Sequence, residues 1–398
     1  MKIIRRCFAI VVQPAFLGLL TLTIDAHRPP STNHYLAFVG TYTSKTDSKG
    51  IYAFEFDPDS GTLTAKGVAA ETRDPSWVVI DPTGKFAYAA NEAGKQSTIT
   101  AFAIDPQSAK FMQLNQLPAS GQDPCHMSFD KTGKYLFVAN YSSGNVVVFP
   151  VLSEGKLGEH SAVVKDAGTP GPNKERQEGP HAHWVGVSRD NRFLLVSDLG
   201  LDELLVYRFD EAKGTLTPNE PPFAKLAPGA GPRHAALSSN GKFLYVVSEL
   251  NSTVTAFAYD AAQGGLHEGQ VLSTLPKDFH GRNDTAEIAV HPGGKWLFAS
   301  NRGHDTIAVF AVEPATGSLR PAREFPTGGK EPRHFAIDPT GQFLLVENQN
   351  SNTIVVLRID LGKGTLTQAF QVSGIPSPVS LAFRPQEGRP YAERHPFD

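Results

Sequence analysis

A phrase of about a dozen residues returns along this chain, and its spacing limits the fold more than any other feature. In its fullest form it reads Asp-x-x-Gly-Lys-aromatic, then four or five mostly apolar residues, then a polar pair. The copies are DPTGKFAYAANE from Asp81, DKTGKYLFVANY from Asp130, SRDNRFLLVSDL from Ser188, SSNGKFLYVVSEL from Ser238, HPGGKWLFASNR from His291 and DPTGQFLLVENQ from Asp338. A partial seventh copy, YLAFVGTY, begins at Tyr35. Matching the polar positions pairs Thr41, Asn91, Asn140, Asp198, Glu249, Asn301 and Asn348, at intervals of 50, 49, 58, 51, 52 and 47 residues. A period near 50 built from short apolar runs and turn residues is the arithmetic of a β-propeller blade.

Each unit divides into four strands. In the unit around Asp130, Pro124 to Phe129 reads as a first strand, Tyr135 to Ala139 as a second and Asn145 to Pro150 as a third. A hairpin with Gly155 and a polar outer strand complete it. Several third strands end in Asp-x-x-x-Gly-x-Leu, as in FDPDSGTLT from Phe56, FDEAKGTLT from Phe209 and IDLGKGTLT from Ile359. Glycine there permits the positive φ of a tight hairpin. No stretch shows a persuasive helical period. The chain opens at a second strand near Tyr35 and closes with a spare first strand, PVSLAF from Pro378. That strand completes the blade begun by the N-terminal one and removes two strand edges. The expectation is an all-β, seven-bladed β-propeller with four-stranded blades, its ring closed by a composite blade.

The termini fall outside the repeats. Lys2, Arg5 and Arg6 precede a largely apolar run from Phe8 to Ile24, and Ala26 is a small residue suited to cleavage. This order reads as a secretory signal peptide over residues 1–26. Arg5-Arg6-Cys7-Phe8 also has the look of a twin-arginine core. The propeller is expected over 33–386 and a tail over 387–398. Export to the periplasm or the cell exterior follows, with no stable membrane span once the signal is removed. Of two cysteines, Cys7 leaves with the signal, so Cys125 has no intramolecular partner. The net charge of −3 and the lack of Lys/Arg blocks argue against a nucleic-acid partner. A monomer acting on a small molecule is expected.

Loops before the first strands and after the second strands gather on one face of a propeller. The first-strand entries carry Cys125-His126, His181-Ala182-His183, Arg233-His234, Ala286-Glu287 and Arg333-His334. The second-strand exits add Glu92, Tyr141, Asp198, Glu249, Arg302 and Gln349. Ionisable groups converging from separate blades on one channel mouth are a site candidate.

Long phrases support a more specific reading. FVGTYT from Phe38, PCHMSFD from Pro124, ANYSSGNV from Ala139, RQEGPHAH from Arg176, GAGPRH from Gly229, SELNSTV from Ser248 and SNRGHDTIAVF from Ser300 resemble the propeller-type 6-phosphogluconolactonase family. They also resemble its fungal relative, carboxy-cis,cis-muconate cyclase. The resemblance covers nearly all of the chain after about residue 33. It implies a lactone as the reacting group, handled with no cofactor and no metal. It carries the cyclase's site onto His183, Arg233, Glu249 and Arg302. His126, Arg176, His181, Glu287 and Arg333 are expected to bind substrate beside them. Lactone hydrolysis needs a base to activate water and a positive group to hold the oxyanion. His183 or Glu249 suits the first task and Arg233 or Arg302 the second.

Plainer roles stand beside these. The histidines can cap strand entries, Glu249 can be a structural ion-pair partner, and Cys125 can be a core residue. His181-x-His183 is a two-ligand metal fragment without an evident third ligand. Hydrolysis of a sugar-acid lactone leads. A lactone-forming cycloisomerase and a non-catalytic exported binding propeller are the alternatives.

Overall fold

A computed structural model describes residues 34–384. The expected signal peptide and the whole of the expected tail lie outside these residues. The described residues form seven four-stranded antiparallel sheets. The only helical segments among them are two three-residue 3-10 turns. In the blade of Pro124–Phe129, Tyr135–Asn140, Asn145–Pro150 and Ala162–Lys165, strands follow chain order from the channel outward. One blade breaks chain order. Its innermost strand is Pro378–Phe383, paired antiparallel with Tyr35–Thr41, so the two ends of the fold share a sheet.

The repeated phrase turns out to be turn chemistry. Asp81 accepts hydrogen bonds from the backbone amides of Thr83, Lys85 and Phe86. Asp338 does the same for Thr340, Gln342 and Phe343. Ser188 and Ser238 each accept from the amide of the repeat aromatic, Phe193 and Phe243. The polar side chain thus satisfies amides that the hairpin leaves without strand partners.

The aromatic of that phrase has a second task. A Cβ on Gly264 (φ +71°) would stand 2.6 Å from the Phe193 ring of the preceding blade. Gly155 meets Phe86 in this way, Gly214 meets Tyr135, Gly317 meets Phe243, Gly364 meets Trp296 and Gly61 meets Phe343. The two recurring phrases are therefore two halves of one joint between neighbouring blades. The remaining hairpin carries Ala109 (φ +56°), which packs in the cluster that Leu36 borders. A branched side chain in place of a ring leaves room for that methyl.

The core is divided among seven apolar clusters, each spanning two adjacent blades. Seven blades in an open array would share six interfaces, so the seventh cluster is the closure. It joins Tyr35, Phe56 and Phe383 of the composite blade to Phe343 of its neighbour. One correction concerns register. Pro232 pairs with Ser248, as Pro124 pairs with Asn140 and Pro332 with Asn348. The matched polar position is thus Ser248, and Glu249 lies one residue beyond it, because the copy from Ser238 carries one residue more before its acidic group.

The joint makes a testable statement. Gly264→Ala combines a disfavoured backbone angle with overpacking against Phe193 and should destabilise by about 2–4 kcal/mol. Phe193→Leu should relieve part of this. Chemical denaturation of both single variants and the double should show coupling above about 1 kcal/mol; additive losses would refute the joint.

Candidate active site

A register shift near the start of the innermost strands shapes the channel. It falls between Pro75 and Trp77, Pro124 and His126, Ala182 and Trp184, Pro232 and His234, and Pro332 and His334. Two consecutive residues per strand then reach the channel at different depths. The upper tier includes Cys125, His183, Arg233 and Arg333. The lower tier includes Trp77, His126, Trp184, His234, Glu287 and His334.

Glu249 organises the upper tier. Arg233 Nε donates to its Oε2 at 3.0 Å, and Arg302 Nη2 lies 3.0 Å from the same oxygen. Arg176 Nη2 donates to Oε1 at 2.6 Å. Arg233 and Arg302 are held further by backbone carbonyls of Ala286, Asp284 and Thr285. Burial alone would raise the Glu249 carboxyl, but Arg302, Arg233 and Arg176 outweigh it and bring the pKa down to about 2. Arg233 is pushed down to about 10 by burial and by Arg302 and Arg333, so it still carries its charge at neutral pH. Arg333 joins from another blade. Its Nη2 donates to Tyr42 Oη at 3.0 Å, and Tyr42 Oη donates to Glu92 Oε2 at 2.8 Å.

His183 lies beside this cluster, 5 % exposed. Its Nδ1 is 3.7 Å from Cys125 Sγ, and its ring meets those of Tyr141 and His234 edge-on. Burial and the charges of Arg233 and Arg333 hold it well below the usual histidine range, so the ring is neutral at pH 7. His181 stacks on Tyr141 and its Nδ1 is 3.0 Å from the Tyr141 carbonyl. Burial pushes the Cys125 thiol up, which keeps it protonated and unreactive.

The structure thus brings together His183, Arg233, Glu249, Arg302 and Arg176, with Arg333 and His181 at their edge. It places His126 and Glu287 elsewhere. Both belong to the lower tier and line a separate chamber of about 290 Å³ with Trp77, Trp184 and His334. The expectation of one shared mouth fails for these two because the bulge sets them one tier deeper. Gly186, Ala236, Ala289, Ala336 and Ala382 line the chamber below them. Their small side chains leave the space open. Gly186 is required there, since a Cβ would stand 2.3 Å from the Trp184 indole.

Asp198 also departs from expectation. It is fully buried and accepts from the amides of His181 and Leu201, so it shapes the strand entry instead of facing the mouth. Tyr42 escaped sequence reasoning. In the corrected register it occupies the column of Glu92, Tyr141, Glu249 and Arg302, one residue after the matched polar position, and that column was the available sign. Among the described residues, no group of three or more His, Cys, Asp or Glu is arranged to hold a metal ion. No described helix is long and apolar enough to cross a membrane.

A closed ring of seven blades with a guanidinium-rich mouth around one carboxylate defines a small-molecule-binding propeller. The model of the lactonase family, described as a seven-bladed β-propeller, matches residues 36–383, and the chain belongs to that family. It is 37 % identical over 301 residues to the 6-phosphogluconolactonase of Bacillus subtilis, covering 76 % of this chain and 84 % of the relative. It is 33 % identical to the 6-phosphogluconolactonase of Formosa agariphila over 307 residues, covering 75 % of this chain and 85 % of that one. Among solved structures, the periplasmic gluconolactonase of Pseudomonas aeruginosa superposes with a TM-score of 0.83 at 34 % identity, covering 89 % of this chain and 99 % of that one.

The carboxylate predicts a pH response. Its folded pKa of about 2 lies below the unfolded value near 4.5. The stability it contributes is therefore fully present above about pH 4.5 and lost as pH falls toward 2. Glu249→Gln should cost roughly 3 kcal/mol at pH 7. The gap between wild type and variant should narrow on acidification; a gap unchanged between pH 5 and pH 2.5 in urea titrations would contradict the assignment.

Proposed function

We propose that this protein hydrolyses the ester of a sugar-acid lactone at the upper mouth of its channel. The observation that carries the reading is the Glu249 clamp. Arg176, Arg233 and Arg302 share one carboxylate, and Arg333 stands near them. Four guanidinium groups against Glu249 and Glu92 leave the mouth positive. That charge suits the oxyanion of a tetrahedral intermediate and the carboxylate of the acid product. The guanidinium groups supply the positive charge that a metal ion supplies in other hydrolases, so the proposed reaction is metal-independent.

The roles divide as follows. Glu249, with its pKa near 2, stays ionised and holds the arginines in place, which makes it a poor proton acceptor at neutral pH. His183 is the base. Its neutral ring takes a proton from water as the hydroxyl adds to the lactone carbonyl, and returns it to the ring oxygen as the ring C–O bond breaks, leaving a hydroxyl and a carboxylic acid. Arg302 and Arg233 stabilise the oxyanion, while Arg176 and Arg333 hold the polyol or carboxylate end. His181 keeps Tyr141 against the mouth.

Two observations support an exported protein acting on an unphosphorylated aldonolactone. The chain begins with a basic stretch and an apolar run over residues 1–26. The Pseudomonas relative is a periplasmic gluconolactonase. A phosphorylated sugar lactone is chiefly a cytoplasmic metabolite and fits export poorly. The protein is proposed to act as a monomer, with the propeller over 33–386.

A lactone panel followed by acid release, with and without chelator, tests the reading. The expected result is chelator-insensitive opening of gluconolactone, faster than of its 6-phosphate. His183→Ala and Arg302→Ala should each lower kcat/KM at least a hundredfold with unchanged circular dichroism. Turnover at the wild-type level in both variants would remove the site assignment.

A further inference from the structure

Trp77, His126, Trp184, His234 and His334 form a layer of packed rings beneath His183, and the two nitrogens of His234 have different surroundings. His234 Nδ1 lies 3.0 and 3.2 Å from the two carboxylate oxygens of Glu287. Its Nε2 is buried without a hydrogen-bond partner among the described residues. The ring touches His183 of the upper tier at 5.2 Å between centroids, with His126 at 5.1 Å and Trp77 at 5.5 Å on its other sides. Glu287 extends downward and lines the lower chamber. An imidazole fixed by a carboxylate at one nitrogen and open at the other can accept a proton on one side and release one on the other.

We propose that His234 and Glu287 relay the proton set free by ring opening from His183 at the mouth down to solvent in the lower chamber. The proposal rests on the lactonase reading above. Hydrolysis adds water across the ester, the ring oxygen keeps one proton as a hydroxyl, and the new carboxylic acid ionises near neutral pH. Each turnover therefore liberates one proton. At the mouth that proton faces Arg176, Arg233, Arg302 and Arg333, opposed by Glu249, Glu92 and the exposed Glu178 beside His181. Downward it meets the Glu287 carboxylate. His183 takes up the proton of the new acid, His234 Nε2 accepts it from His183, His234 Nδ1 passes its own to Glu287, and Glu287 passes it to water in the chamber. A turn of the ring restores the starting tautomer.

The surroundings of His234 agree with this role. Burial and the charges of Arg233, His334 and Arg333 hold its pKa well below the usual range, while Glu249 acts in the opposite sense. The ring is thus neutral at rest and passes a proton without trapping it. Trp77, Trp184, His126 and His334 fill the rest of the layer. Through this layer the route runs over titratable side chains.

The experiment compares Glu287→Gln, His234→Gln and the double variant on gluconolactone, in dilute HEPES and with added imidazole. Each single variant should lose at least tenfold in kcat with KM within twofold of wild type. The double variant should be no slower than the slower single one, because the two residues act in series. Imidazole is small enough for a 290 Å³ chamber. It should restore the kcat of Glu287→Gln while leaving wild type unchanged. Wild-type kcat in Glu287→Gln, a loss that imidazole does not lessen, or multiplicative losses would each overturn the relay with the lactonase reading intact. If Glu287→Gln does not fold, imidazole rescue of His234→Gln decides by itself. A wild-type protein that opens no lactone would sink the functional reading, and the relay with it.

Discussion

The ring depends on blades packing at one fixed spacing, set at six of its seven interfaces by the glycine-to-aromatic joint. A hairpin glycine in the left-handed region lets the backbone lie directly on the ring of the preceding blade. Burying a large aromatic stabilises by roughly 2–3 kcal/mol from apolar area alone. Repeated around the ring, the contact does more than add stability. It makes each blade the template for the next, and after seven steps the last strand arrives beside the first. The composite blade then closes with Phe383 against Phe56. None of the joint residues lines the lower chamber, yet the spacing they set determines which strands face each other across the channel.

The bulge on the innermost strands is the second constraint. In a regular strand, successive residues point to opposite faces, so a channel-facing residue would be followed by one packed between blades. The bulge lets Arg233 and His234 both reach the channel, one above the other. The same holds for Arg333 and His334, and for Cys125 and His126. The upper tier holds the guanidinium groups and the lower tier holds rings and Glu287. One residue of depth separates the arginine from the histidine, and a single strand motif, Pro-Arg-His, supplies both.

Much of this was legible from residue types. Turn residues at a period near 50, alternating apolar runs and a spare C-terminal strand led to a closed ring. The same reading carried His183, Arg233, Glu249 and Arg302 to one place; the last three are in direct contact, and His183 lies to one side against Tyr141 and His234. It misjudged depth. His126 and Glu287 were expected at the mouth and lie below it, because a bulge leaves no mark in the pattern of residue types. It also left Glu249 with two incompatible roles, proton acceptor and ion-pair partner. Three guanidinium groups on one carboxylate favour the second.

What the sequence determined by itself is therefore the local and periodic part: strand lengths, turn types, the number of blades and the manner of closure. These follow from backbone and side-chain preferences acting within about 50 residues. The tertiary structure alone decided which distant groups share an environment. The pKa of Glu249, the buried Nε2 of His234 that has no partner among the described residues and the two tiers of the channel arise between blades. They depend on Coulomb and desolvation effects over a few ångströms of space, which separation along the chain does not encode.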